Sequence, residues 1–161
     1  MLGTDEQLQR ATDLGYAFLD RRDRTVSEVR RHLERQGVRA ELTEASIAML
    51  TDRGVLNDTR FARLFVADKR ELEQWGSERI RRGLLARGIE RDLVEATLEP
   101  TRDDEPAAET ELDRALTLLR RRYPSPPSDQ RERERALGVL LRKGYETELA
   151  LDALANYARG D

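Results

Sequence analysis

Residues 77–98 read SERIRRGLLARGIERDLVEATL. Ile80 and Leu84 stand eight and four residues before Gly88, Ile89 follows it directly, and Leu93, Ala96 and Leu98 lie five, eight and ten residues beyond. Apolar positions four apart that run into a glycine describe an amphipathic helix closed by a left-handed cap. The renewed spacing after Ile89 starts a second helix almost at once.

The same offsets recur upstream, where Val29 and Leu33 precede Gly37-Val38 and Leu42, Ala45 and Ile47 follow. They recur downstream with Ala136 and Leu140 before Gly144-Tyr145 and Leu149 and Leu154 after it, Asp152 replacing the alanine. Self-similarity at about fifty residues is the mark of a repeat architecture. Each copy has an apolar stretch ahead of this core pair: Leu8 to Leu19, then Phe61, Leu64, Phe65 and Leu72, then Leu112, Leu116 and Leu119 to Tyr123. Thr4-x-x-Gln7 and Thr25-x-x-Glu28 are capping-box patterns, and Asn57, Ser77 and Ser128 are candidate N-caps. The expected fold is therefore all-α, three tandem three-helix repeats forming an elongated curved rod. Repeat 1 is placed at 4–54, repeat 2 at 55–99, and an acidic linker with repeat 3 at 100–161. One such unit cannot bury enough surface alone, so neighbours are expected to share apolar faces.

Composition agrees with helix. Leucine and alanine are abundant while β-branched residues are few. At 161 residues, 38% charged and with a mean hydropathy of −0.76, the chain has material for a thin core only. Without cysteine and with one histidine it has no disulfide, no thiol chemistry and no familiar Cys/His zinc site. No apolar run approaches a membrane span and no charged and apolar leader is seen, so a cytoplasmic location is expected. There is no glycine-rich phosphate loop, nucleophile elbow or metal motif, and neither catalysis nor a cofactor is expected. Asp103-Asp104-Glu105, beside Pro106, reads as solvated linker, not a metal site.

The stretches YAFLDRRDRTVSEVRRHLERQG (16–37), GVLNDTRFARLF (54–65) and WGSERIRRGLLARGI (75–89) resemble the RecX family, bacterial modulators of the RecA recombinase. The most specific element is Gly54-Val55-Leu56-Asn57-Asp58-Thr59-Arg60-Phe61-Ala62, followed by Gly76 with Arg79-Ile80, Leu84 and Gly88-Ile89. Val29 stands where the family usually has leucine, and the third copy matches only through Leu140, Gly144, Tyr145 and the repeat spacing. The resemblance implies three tandem three-helix repeats. It also implies a monomeric regulator, mainly an inhibitor, that binds the groove of the RecA filament on DNA and restrains ATP hydrolysis, strand exchange and coprotease activity. Weak direct DNA contact is part of that picture.

Charge is segregated in a way that suits such a groove. The second helices carry a basic excess (residues 27–36, 77–87 and 129–143), while the third helices (39–53, 90–99 and 145–157) are acidic, in a chain of net charge −3. On a helical wheel with the apolar residues inward, Arg31 and Arg35, Arg79 and Arg82, and Arg135 and Arg142 point outward. Stacked repeats would line these six into a basic stripe for phosphates or an acidic protein surface. A solvated helix face is the plain alternative. Trp75 either plugs a junction between repeats or joins the partner surface. His32 falls at the edge of a packed face, and Phe61 and Phe65 read as core. A stand-alone nucleic-acid-binding helical array remains the other reading, although a pI near 5.5 lacks the basic excess of a dedicated duplex binder.

Overall fold

The computed structural model describes residues 3–99 and 109–160, and among them the secondary structure is nine α-helices with no strand. They are α1 (Thr4–Leu19), α2 (Val26–Arg35), α3 (Ala40–Asp52), α4 (Asp58–Glu71), α5 (Ser77–Ala86), α6 (Arg91–Leu98), α7 (Glu111–Arg122), α8 (Gln130–Lys143) and α9 (Thr147–Arg159). Taken in threes, they are the expected tandem repeats. The middle part of the acidic linker, including Asp103-Asp104-Glu105, lies outside the described residues.

The glycine that closes each repeat's middle helix behaves as its spacing predicts. Gly37, Gly88 and Gly144 have φ of 81°, 83° and 97°. Behind each, the N–H of Val38, Ile89 or Tyr145 donates to the carbonyl of Leu33, Leu84 or Leu140, at 3.1, 3.2 and 3.1 Å. This is the six-to-one bond of a Schellman cap, whose two end residues are both apolar. The leucine and its partner across the cap therefore enter the core together: Leu33, Leu84 and Leu140 are fully buried, as are Val29, Ile80 and Ala136 four residues earlier.

Helix starts differ in detail from the sequence reading. Thr25 and Asn57 cap α2 and α4 as expected, accepting from Glu28 N–H and Arg60 N–H. Thr4 is instead the first residue of α1 after Gly3. Ser77 is the first residue of α5, and α8 is capped by Asp129, with Ser128 bonded to Glu132 just outside. Thr110-x-x-Asp113 is a further capping box that opens α7. The phase of α4 also differs. Its buried seam is Ala62 and Val66, with Phe61 and Phe65 half-buried beside it and Leu64 and Leu72 exposed at 48% and 78%. Two small side chains let the helix approach closely, and the rings flank the seam instead of forming it.

The chain divides into two compact units, Met1–Leu64 with Leu84–Val94, and Phe65–Gly83 with Glu95–Asp161. Each contains one junction between successive repeats, and the two junctions are built alike. In the first unit, the Thr25 hydroxyl donates to Arg87 O at 2.7 Å and Val26 N–H donates to Asp58 Oδ1 at 2.9 Å. Gly88 lies so near Ser27 that a β-carbon there would collide with its side chain. In the second unit, Gly76 N–H donates to Lys143 O at 2.7 Å and Ser77 N–H to Glu111 Oε1 at 2.5 Å, while Gly144 lies against the backbone of Arg79. Asp58 and Glu111 are the first residues of α4 and α7. The free N–H groups and positive dipole end of each middle helix thus receive the carboxylate that opens the next repeat. Burial holds the Asp58 carboxyl above its usual range, opposed by the bond from Val26.

Within each of the first two repeats a bidentate ion pair ties the middle helix to the last. Arg30 meets Glu44, and Arg81 meets Glu95, each with an Nε–Oε1 distance of 2.6 Å and a second Nη2–Oε2 bond of 3.1 or 3.2 Å. These residues stand seven before and seven after Gly37 and Gly88.

Candidate partner-binding site

The loop from α4 to α5 gathers a basic and aromatic cluster in the second compact unit. Trp75 N–H closes back on Lys69 O at 2.9 Å, and Gln74 adopts a positive φ of 58° to make the turn. The Gln74 carbonyl accepts the Tyr145 hydroxyl at 3.1 Å, and burial pushes that phenol up to about 12. Gly76 then meets Gly144 backbone to backbone: a β-carbon on Gly76 would lie 2.6 Å from Tyr145 N. With the loop held in this way, the Trp75 ring is fixed. Phe65 meets it edge-on at 6.3 Å, the Arg79 guanidinium lies 4.1 Å from its centroid and Lys69 Nζ 4.6 Å.

Arg79 is therefore not a free outward side chain. It covers Trp75, donates to Arg142 O at 3.1 Å, and presses its backbone on Gly144. Lys69 pairs with Glu73 at 2.5 Å, and Lys143 Nζ reaches Glu73 O at 2.8 Å. The bond from Lys69 holds the Glu73 carboxyl below its usual range, with Arg79 and Lys143 contributing. Three cations, Lys69, Arg79 and Lys143, thus gather about the Glu73 carboxylate and the Trp75 indole.

Of the seven residues singled out from sequence, Trp75 and Arg79 meet in this cluster, and Arg142 joins it through its backbone carbonyl, its side chain lying exposed beside Gly138. Arg82 is exposed one turn beyond Arg79 on α5, and Arg135 is exposed on α8, two turns before Arg142. Neither makes an ion pair among the described residues. Arg31 and Arg35 are exposed on α2 in the other compact unit. Sequence reasoning passed over Lys69 and Lys143. The signal was available: they are the only two lysines in a chain of 29 basic residues, and both reach Glu73. His32 stacks on Phe18 at 4.0 Å, at the edge of a packed face as expected. Among the described residues no group of acids, histidines or cysteines could hold a metal, and no helix is long and apolar enough to cross a membrane.

Residues 57–98 match the family model described as RecX, second three-helix domain, and residues 109–154 match RecX, third three-helix domain. The chain is similar to Regulatory protein RecX of Trichlorobacter lovleyi, 32% identical over 135 residues, which cover 82% of this chain and 85% of the relative. The chain belongs to the RecX family. It is also 33% identical over 100 residues to Regulatory protein RecX of Lactobacillus delbrueckii subsp. bulgaricus, 62% of this chain and 37% of that longer relative. The crystal structure of RecX from Lactobacillus salivarius shares the fold with a TM-score of 0.79 at 20% identity, over 98% of this chain and 99% of that one. The two matched RecX domains coincide with α4–α6 and α7–α9, so the cluster around Trp75 sits where the second RecX domain meets the third.

Proposed function

We propose that this RecX-family chain binds in the groove of the RecA filament on DNA and restrains its ATP hydrolysis, strand exchange and coprotease activity, with a role in DNA repair and the SOS response and no catalysis of its own. Membership of a family of regulatory proteins carries this reading. The contact surface in it comprises Arg31 and Arg35 of repeat 1 (4–54), Trp75, Arg79 and Arg82 of repeat 2 (55–99), and Arg135 and Arg142 of repeat 3 (100–161), extended by Lys69 and Lys143. Convergence of Lys69, Arg79 and Lys143 on the Trp75 loop supports an anionic counterpart.

The test is to titrate the protein into RecA-coated single-stranded DNA and follow ATP hydrolysis, with binding to bare DNA as control. Hydrolysis should fall at concentrations that leave bare DNA unbound. Unchanged hydrolysis overturns the proposal, and inhibition that tracks bare-DNA binding points to the stand-alone nucleic-acid reading.

A further inference from the structure

Glu73 stands inside the basic cluster that it partly neutralises. Its carboxylate meets Lys69 at 2.5 Å, and Lys69 and Arg79 both lie against the Trp75 ring, 4.6 and 4.1 Å from its centroid. Lys143 bonds the Glu73 backbone carbonyl at 2.8 Å, so it stands beside the carboxylate without being spent on it. Each cation retains unused N–H groups. Arg79 gives Nη1 to the Arg142 carbonyl and makes no ion pair among the described residues, and neither does Lys143. The Glu73 side chain is 46% exposed, and its pair with Lys69 is a solvated one of the kind that contributes little to stability.

We propose that Glu73 is an internal stand-in for a nucleic-acid phosphate: its carboxylate takes the place of a phosphodiester among Lys69, Arg79 and Lys143, and so keeps the chain's hold on bare DNA weak. This deepens the reading of the cluster as an anion site, on which it rests. Phosphate is favoured over a protein carboxylate because the cations are paired with an indole. Cations along a strand's backbone with an aromatic ring for its bases are the combination that holds single-stranded nucleic acid. The chain as a whole carries a net charge of −3 and repels a polyanion, so binding depends on the local excess of cations. Three cations against one carboxylate leave that excess at two, and removing the Glu73 charge restores it to three. A phosphate must also displace the carboxylate before it can bind. A strand fixed within a filament meets that cost with its other contacts, and a free strand does not.

The experiment measures binding of a labelled single-stranded oligonucleotide to the purified full chain by fluorescence anisotropy over a range of salt concentrations, with tryptophan emission as a second readout. Trp75 is the chain's single tryptophan, so its emission reports this site alone. Glu73→Gln should bind several-fold tighter than wild type at low salt and change the Trp75 emission on binding. It should also steepen the fall of log K with log salt by about 0.7 for each phosphate gained. Asp152→Asn makes the same charge change at an exposed site on α9 and should do neither. Adding Lys69→Gln and Lys143→Gln to Glu73→Gln should abolish the gain. The melting midpoint of Glu73→Gln should hold, because Lys143 bonds a backbone carbonyl that the substitution leaves in place. No gain in Glu73→Gln, or an equal gain in Asp152→Asn, overturns the proposal. A gain that leaves Trp75 emission unchanged overturns it too, since the strand then lies elsewhere. Stronger inhibition of RecA ATP hydrolysis by Glu73→Gln with unchanged DNA binding assigns the site to a protein carboxylate, and likewise overturns it. The DNA measurement contains no RecA, so failure of the filament reading and failure of the stand-in are told apart.

Discussion

Gly37, Gly88 and Gly144 share a left-handed backbone but not the same surroundings. A β-carbon on Gly37 meets nothing within 4 Å, whereas on Gly88 it would strike Ser27 and on Gly144 it would strike Arg79. Replacing Gly37 by alanine should therefore cost about 1 kcal/mol, the strain of the conformation alone. Gly88→Ala and Gly144→Ala should each cost about 1–3 kcal/mol more, because a junction must also shift. Urea denaturation of the three variants measures this; equal losses would show that the junctions do not rest on the glycines. His32 offers a second test at this scale. Burial against Phe18, reinforced by Arg35, Arg24 and Arg21, lowers its pKa in the folded state. A depressed folded value means that stability is complete above the unfolded pKa and is lost as pH falls below it. The melting midpoint should thus drop slightly between about pH 7.5 and about pH 5.5, and His32→Phe should flatten that slope. The glycines were legible in the sequence because one residue type answers to one backbone conformation. Arg79 was only half legible: a helical wheel gives direction from the axis, but not the tryptophan across which the side chain lies.

At the scale of elements, the ion pairs between the middle and last helices can be weighed. Arg81 and Glu95 are bidentate, with side chains 27% and 44% exposed. Partial exposure and solvent screening keep such a pair small, so a double-mutant cycle on Arg81→Ala and Glu95→Ala should give a coupling of about 0.3–1 kcal/mol. A coupling near zero would mean that the two helices are held by the core alone. Periodicity identified all nine helices and the buried pairs of α2, α5 and α8, where leucine or isoleucine leaves one choice of face. It misread α4, in which Phe61, Leu64 and Phe65 offer a larger apolar face than the Ala62–Val66 seam that is buried. Alanine carries little hydrophobic signal, yet it permits the closest approach. The caps at Ser77 and Ser128 were misplaced because Glu111, which receives Ser77 N–H, comes from another repeat, and Asp129 competes with its neighbour for the same role.

Over the whole molecule, repetition was legible from three glycines at matching offsets, and the junctions were not. They join residues such as Thr25 with Arg87 and Lys143 with Glu73, separated by more than sixty positions and sharing no local pattern. The same distance hid Lys143 from the Trp75 cluster, whereas Lys69 lies only one turn from Glu73. This cluster and the exposed arginines near it are the surface proposed to meet the RecA–DNA filament. Its most direct test is charge reversal at Arg82 and Arg142, whose side chains make no ion pair among the described residues, with Arg91→Glu and Arg121→Glu as a control of equal charge change on exposed sites of α6 and α7. Inhibition of RecA ATP hydrolysis should weaken several-fold in Arg82→Glu with Arg142→Glu, most at low salt where contacts are least screened, and the melting midpoint should hold. Equal loss in both pairs, or loss in neither, would contradict the claim.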